Sequence, residues 1–135
     1  MFYINWFALL LSAIASFGVG AIWYNEKLFG MSWKEVHGIN PKPNSDGMMR
    51  TMTTGFIATL IYCFVLSIVL VKTENHTCMA DGMKFGFLIG LGIAGMAIAI
   101  QYTFLNKPAK AFFIDAGYMI FISILTGGIT GAFGA

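Results

Sequence analysis

Charge is what this sequence has least of. Only 10% of its 135 residues are Asp, Glu, Lys or Arg, against 58% hydrophobic residues and a mean hydropathy of +0.77. A water-soluble domain carries about 25% charged residues and needs them to cover its surface. The shortage excludes an ordinary soluble domain, so much of the outer surface must face lipid. The net charge of +2 is small and dispersed, which argues against a nucleic-acid surface. Cysteine is scarce too. Cys63 lies inside an apolar run and Cys78 in a polar loop, so the pair makes no disulfide framework. The two histidines, His37 and His76, fall in loops on opposite sides of the expected membrane, which excludes haem held by two histidines between helices. Neither has companions at metal-ligand spacing. Glu74, His76 and Cys78 share one short loop, which is weak evidence for a metal.

Other chemistry is missing its parts. The glycines lie within apolar runs and form no phosphate-cradling loop. No serine has a histidine within plausible reach, so nucleophilic hydrolysis has no support. The nine methionines scatter and suit gap filling. The expectation is a protein that is not an enzyme, with no cofactor and no metal.

What is present is four long apolar runs, about 6–24, 54–71, 85–105 and 111–133, in a single transmembrane domain covering 1–135. Each is close to the roughly 20 residues a helix needs to cross about 30 Å of hydrocarbon. None has the polar face of a helix in water, and strand-like alternation is absent. The fold class expected is an all-α integral membrane four-helix bundle. The opening "MFYINW" lacks the basic segment of a signal peptide, so the first run is expected to stay as a helix.

The connections carry further signals. Phe29, Trp33 and Val36 stand at i, i+4 and i+7 within the long first loop. That spacing suits a short interfacial helix, with Trp23, Phe29 and Trp33 as interface anchors. Asp81 is a candidate N-cap for the third span, and Pro108 suits the first turn of the fourth. Lys27, Lys34, Lys42, Arg50, Lys107 and Lys110 lie in the first and third loops, against Lys72 and Lys84 around the second. Six against two places the first and third loops in the cytoplasm and both termini outside.

Within lipid, close backbone approach and polar links must hold helices together. Small residues recur every four positions: Ser12, Ser16 and Gly20 on the first helix, Gly82, Gly86, Gly90 and Ala94 on the third, and Gly127, Gly131 and Ala135 on the fourth. These faces predict a tight bundle, with a face to spare for a second copy or a membrane partner.

Asp115 is the anomaly. A carboxylate at mid-bilayer costs roughly 2.5–3.5 kcal/mol, and a short aspartate cannot reach back to the headgroups. The ends of the spans that meet at its depth bring Tyr24, Asn25, Arg50, Thr53, Thr54, Gln101, Tyr102 and Tyr118. Asp115 is expected to face the interior and accept hydrogen bonds from some of these, with Arg50 the favoured charge partner.

Two stretches, "GAIWYNEKLFGMSWKEVHGI" and "FIDAGYMIFISILTGGITGAF", resemble a family of small bacterial membrane proteins, domain of unknown function 1761. The matching positions are Trp23, Tyr24, Phe29, Gly30, Trp33, Asp115, Gly117 and Tyr118, with Asn25-Glu26 where the pattern has a proline. The resemblance implies four helices in a bacterial inner membrane and no particular activity. Both stretches end at the same expected surface and should touch.

Two functions compete. One is binding or movement of a small solute or ion through an oligomeric bundle, with the polar cluster around Asp115 as its site. Its path would continue through scattered hydroxyls at Ser16, Ser67, Ser123, Thr126 and Thr130. The other is an accessory subunit that docks a larger membrane complex through glycine-rich faces. The Asp115 cluster itself has two readings, an interhelical clamp that fixes helix order and a water-filled vestibule where Asp115 binds a cation or a proton.

Overall fold

The computed structural model describes residues 4–24, 48–74 and 77–133. The first-loop helix expected around Phe29, Gly30 and Trp33, together with Asn25, lies outside the described residues. Four helices make up the rest: α1 (Trp6–Trp23), α2 (Met48–Lys72), α3 (Met79–Phe104) and α4 (Ala109–Phe133). All four are long and apolar enough to cross a membrane, and no strand occurs among the described residues. The chain is an all-α membrane bundle.

Helix ends follow local chemistry. The Asn5 side chain caps α1, accepting from the Ala8 amide at 3.1 Å. α2 begins several residues before its apolar run, because the exposed stretch from Met49 to Thr54 stays helical outside the hydrophobic segment. The N-cap of α3 is Cys78, whose Sγ accepts from the Asp81 amide at 3.4 Å. Asp81 is therefore not the cap but a first-turn residue, where a negative charge suits the positive end of the helix dipole. Pro108 directly precedes α4 and its carbonyl accepts from the Ala111 amide at 3.0 Å.

Side-chain contacts set the register. α1 runs antiparallel to α2, with Trp6 stacked on Phe64 and Phe17 edge-on to Phe56. α4 runs antiparallel to α1, since the Asn5 side-chain amide donates to the Phe133 carbonyl while Trp23 reaches Ile114 at the other end. α4 touches all three other helices and is the most buried of the four. Its tightest neighbour is α3. A Cβ on Gly127 would collide with the Gly82 carbonyl, and one on Gly86 with the Ser123 carbonyl, so the two backbones are in direct contact.

Side chains are distributed inside out. Large apolar groups such as Phe7, Ile14, Ile61, Phe87 and Phe113 are exposed, as lipid contact requires, while Ser12, Ser16, Ser67, Ser123, Thr126 and Thr130 are buried. Burying apolar area is not what holds such a bundle together, because lipid tails offer the same environment.

Six residues of α3, Gly90–Gly95, form a π turn. In an unbroken α-helix Tyr102 would sit about 120° around the axis from Gly90, at 100° per residue. A π turn accommodates one extra residue and removes about 100° of that difference. Gly90, packed on Ile120 and Ser123, and Tyr102 therefore both face α4.

Candidate functional site around Asp115

Asp115 sits six residues into α4, about 9 Å along the helix from its start. Only 9% of its surface is exposed. The Tyr24 hydroxyl donates to Oδ1 at 2.6 Å, and the Tyr102 hydroxyl donates to Oδ2. One carboxylate thus links the end of α1, the last turn of α3 and the first turns of α4.

Each arm of this clamp is positioned locally. Beyond α3, Asn106 adopts φ 55° and the Lys107 amide bonds back to the Tyr102 carbonyl at 3.0 Å. That is a left-handed helix cap, a conformation asparagine tolerates better than most residues, and it anchors the backbone of Tyr102. The indole of Trp23 donates to the Ile114 carbonyl at 2.9 Å and lies over Gly117, where a Cβ would stand 3.1 Å from the ring. Tyr24 is held by the next layer inward. It meets Tyr118 edge-on at 5.4 Å between ring centres, and the Tyr118 hydroxyl donates to the Ser16 carbonyl at 3.0 Å, beside Gly20.

The sequence-derived cluster divides here. Asp115, Tyr24 and Tyr102 come together, with Tyr118 one layer deeper and bonded to α1 rather than to the carboxylate. Arg50, Thr54 and Gln101 are exposed. Among the described residues Arg50 forms no ion pair with Asp115: it is exposed on α2, while Tyr24 of α1 and Tyr102 of α3 donate to the carboxylate. Gln101 is one residue, about 100° around the helix, from Tyr102. The small residues Ser12, Ser16, Gly82, Gly86, Gly90, Gly127 and Gly131 all lie in helix contacts, with Gly131 against the Cys78 carbonyl.

Ser123 and Thr126, two hydroxyls of the expected path, belong to a second polar group whose tyrosine, Tyr62, was not singled out from the sequence. The Tyr62 and Ser123 hydroxyls lie 2.5 Å apart and join α2 to α4, and one helical position on Cys63 contacts Thr126 at 3.5 Å. A tyrosine in the middle of an apolar span was the available signal, because its hydroxyl needs a partner when buried. Cys63 and Cys78 are both free, one buried and one exposed. Among the described residues no three His, Cys, Asp or Glu side chains gather as a metal set. An apolar groove of about 420 Å³ between α3 and α4, lined by Met79, Met83, Gly128 and Phe133, lies at the end remote from Asp115 and offers no polar group.

The arrangement can hold a buried carboxylate against two phenols beneath a tryptophan, at the end of a bundle with a hydroxyl-rich interior. No curated protein and no solved structure is detectably similar to this chain. A family model described as "Protein of unknown function (DUF1761)" matches residues 7–131, which include both halves of the Asp115 clamp. The chain belongs to this family of proteins of unknown function.

Proposed function

We propose that this protein binds or moves a small solute or ion, with Asp115 as the charged element, in the inner membrane of a bacterium. The observation that carries the reading is a carboxylate 9% exposed within a membrane span and gripped by tyrosines from two other helices. Ionisable groups inside membrane helices are rare and mark pathways more often than packing. The reading is non-enzymatic. The cationic loops would face the cytoplasm, with both termini outside. Several copies would associate in the membrane, each with its own path.

The accessory-subunit reading draws on glycine faces free to dock a partner. Gly82, Gly86, Gly127 and Gly131 are engaged between α3 and α4 of one chain, which favours the first reading.

Water access at position 115 is the test. In a chain carrying Cys63→Ala and Cys78→Ser, Asp115→Cys would be challenged from each side of the membrane with a small impermeant thiol reagent. Labelling from the side of the α3–α4 turn, with Tyr118→Cys also reacting, is the expected result. A folded variant that labels from neither side makes Asp115 part of a dry clamp and overturns the proposal.

A further inference from the structure

Hydroxyls in membrane helices have a partner close at hand. They can donate to the carbonyl four residues back on their own helix. Thr59, Thr73, Thr103 and Ser123 do this, at 2.6–2.8 Å. Ser12, Ser16, Ser67 and Thr130 do not. All four are 0–3% exposed; the oxygens of Ser12, Ser67 and Thr130 have no hydrogen-bond partner among the described residues, and Ser16, which makes no hydrogen bond of ordinary geometry, lies beside the Cys63 thiol. An unsatisfied hydroxyl in an apolar setting is costly, and a water with two to four polar neighbours is what relieves that cost.

These four are not scattered. Ser12 and Ser16 are one turn apart on α1, Cys63 and Ser67 on α2, and Thr126 and Thr130 on α4. Contact between Cys63 and Thr126 fixes α2 against α4, which run parallel, so Ser67 and Thr130 follow at the same level one turn on. Cys63 also packs with Leu9 and Ala13, the residues around Ser12, which brings in the α1 pair. At its upper end the column reaches Tyr118, bonded to the Ser16 carbonyl and in ring contact with Tyr24 on Asp115. From Asp115 to Thr130 the fifteen residues of α4 measure about 22 Å, most of the roughly 30 Å hydrocarbon thickness.

We infer that the interface of α1, α2 and α4 holds a single file of water and hydroxyl groups that conducts protons between Asp115 and the opposite face. The inference rests on the reading of Asp115 above and names its ion. A hydroxyl accepts a proton from one neighbour and passes its own to the next, so the file moves charge without moving an atom heavier than hydrogen. Titratable groups bordering the file are Tyr62 and Cys63 on α2, Asp115 and Tyr118 on α4, Tyr24 at the end of α1 and Tyr102 on α3.

The experiment is proton flux into vesicles of phosphatidylethanolamine and phosphatidylglycerol that contain the full chain and a pH-sensitive dye, driven by a potassium gradient and valinomycin. Flux above that of protein-free vesicles is expected. It should fall to the protein-free rate in Ser67→Ala/Thr130→Val and persist in Thr130→Ser, which keeps the hydroxyl. A wild-type rate equal to that of protein-free vesicles overturns the inference. So does equal loss in Thr130→Val and Thr130→Ser, which marks a packing defect. Flux stopped by Asp115→Asn but untouched by Ser67→Ala/Thr130→Val also overturns the file, while leaving the reading of Asp115 standing. Flux lost in the hydroxyl variants yet indifferent to Asp115→Asn supports the file and sinks that reading instead.

Discussion

Asp115 and the two phenols that hold it form a unit whose members cannot be removed independently. Tyr24→Phe or Tyr102→Phe deletes one donor to a buried carboxylate, at a cost of about 1–3 kcal/mol. With Asp115→Asn already in place, either change should cost clearly less, because the partners share one network. Unfolding of the three single and two double variants in detergent, arranged as double-mutant cycles, checks this; strict additivity would mean that the phenols do not act through Asp115. Much of this unit was legible in the chain. Asp115, Tyr24 and Tyr102 stand out as polar residues at one depth of otherwise apolar runs. Which polar residues share a depth follows from helix length, but which of them point at one another does not. Arg50, Thr54 and Gln101 had the right depth and the wrong azimuth.

Azimuth is decided at the scale of the element, and α3 shows how. Its small residues at positions 82, 86 and 90 predict a face toward a neighbour, and that face meets α4. Continuing the same α-helical phase would turn Tyr102 away from α4. The π turn at Gly90–Gly95 corrects the phase. Deleting Gly92, where a Cβ would meet nothing within 4 Å, should convert the turn to regular helix and leave Tyr102 facing α4, because eleven residues at 100° each return to within about 20° of Gly90. In that background Tyr102→Phe is expected to destabilise as it does in the parent, and loss of the effect would show that the π turn does more than absorb one residue. The glycine contacts make a sharper contrast. Gly127→Ala forces α3 and α4 apart and should lower the melting temperature strongly. Gly18→Ala, with open space around it, should change stability by no more than about 0.5 kcal/mol. Similar losses at both positions would show that glycine content rather than backbone contact matters.

At the scale of the whole molecule, lipid inverts the usual arrangement, with large apolar groups outside and small hydroxyl-bearing ones within. A charge on the outer face has nowhere to go. Ile61 is 57% exposed near the middle of α2, so Ile61→Lys should impair insertion by roughly 2.5–3.5 kcal/mol. A glycosylation-based insertion assay of the isolated α2 segment reads this directly, and unchanged insertion would mean that position 61 does not lie at hydrocarbon depth. The chain by itself determined the number, length and apolar character of the spans, because crossing a membrane is a property of each segment taken alone. It also singled out the buried acid, since any carboxylate in such a segment is anomalous. The tertiary structure alone decided that Ser12, Ser16, Ser67 and Thr130 line one interface, and that Tyr102 rather than Arg50 reaches Asp115. Those outcomes depend on helix rotation and register, and a membrane span that is apolar on every side carries almost no periodic signal from which its rotation can be read.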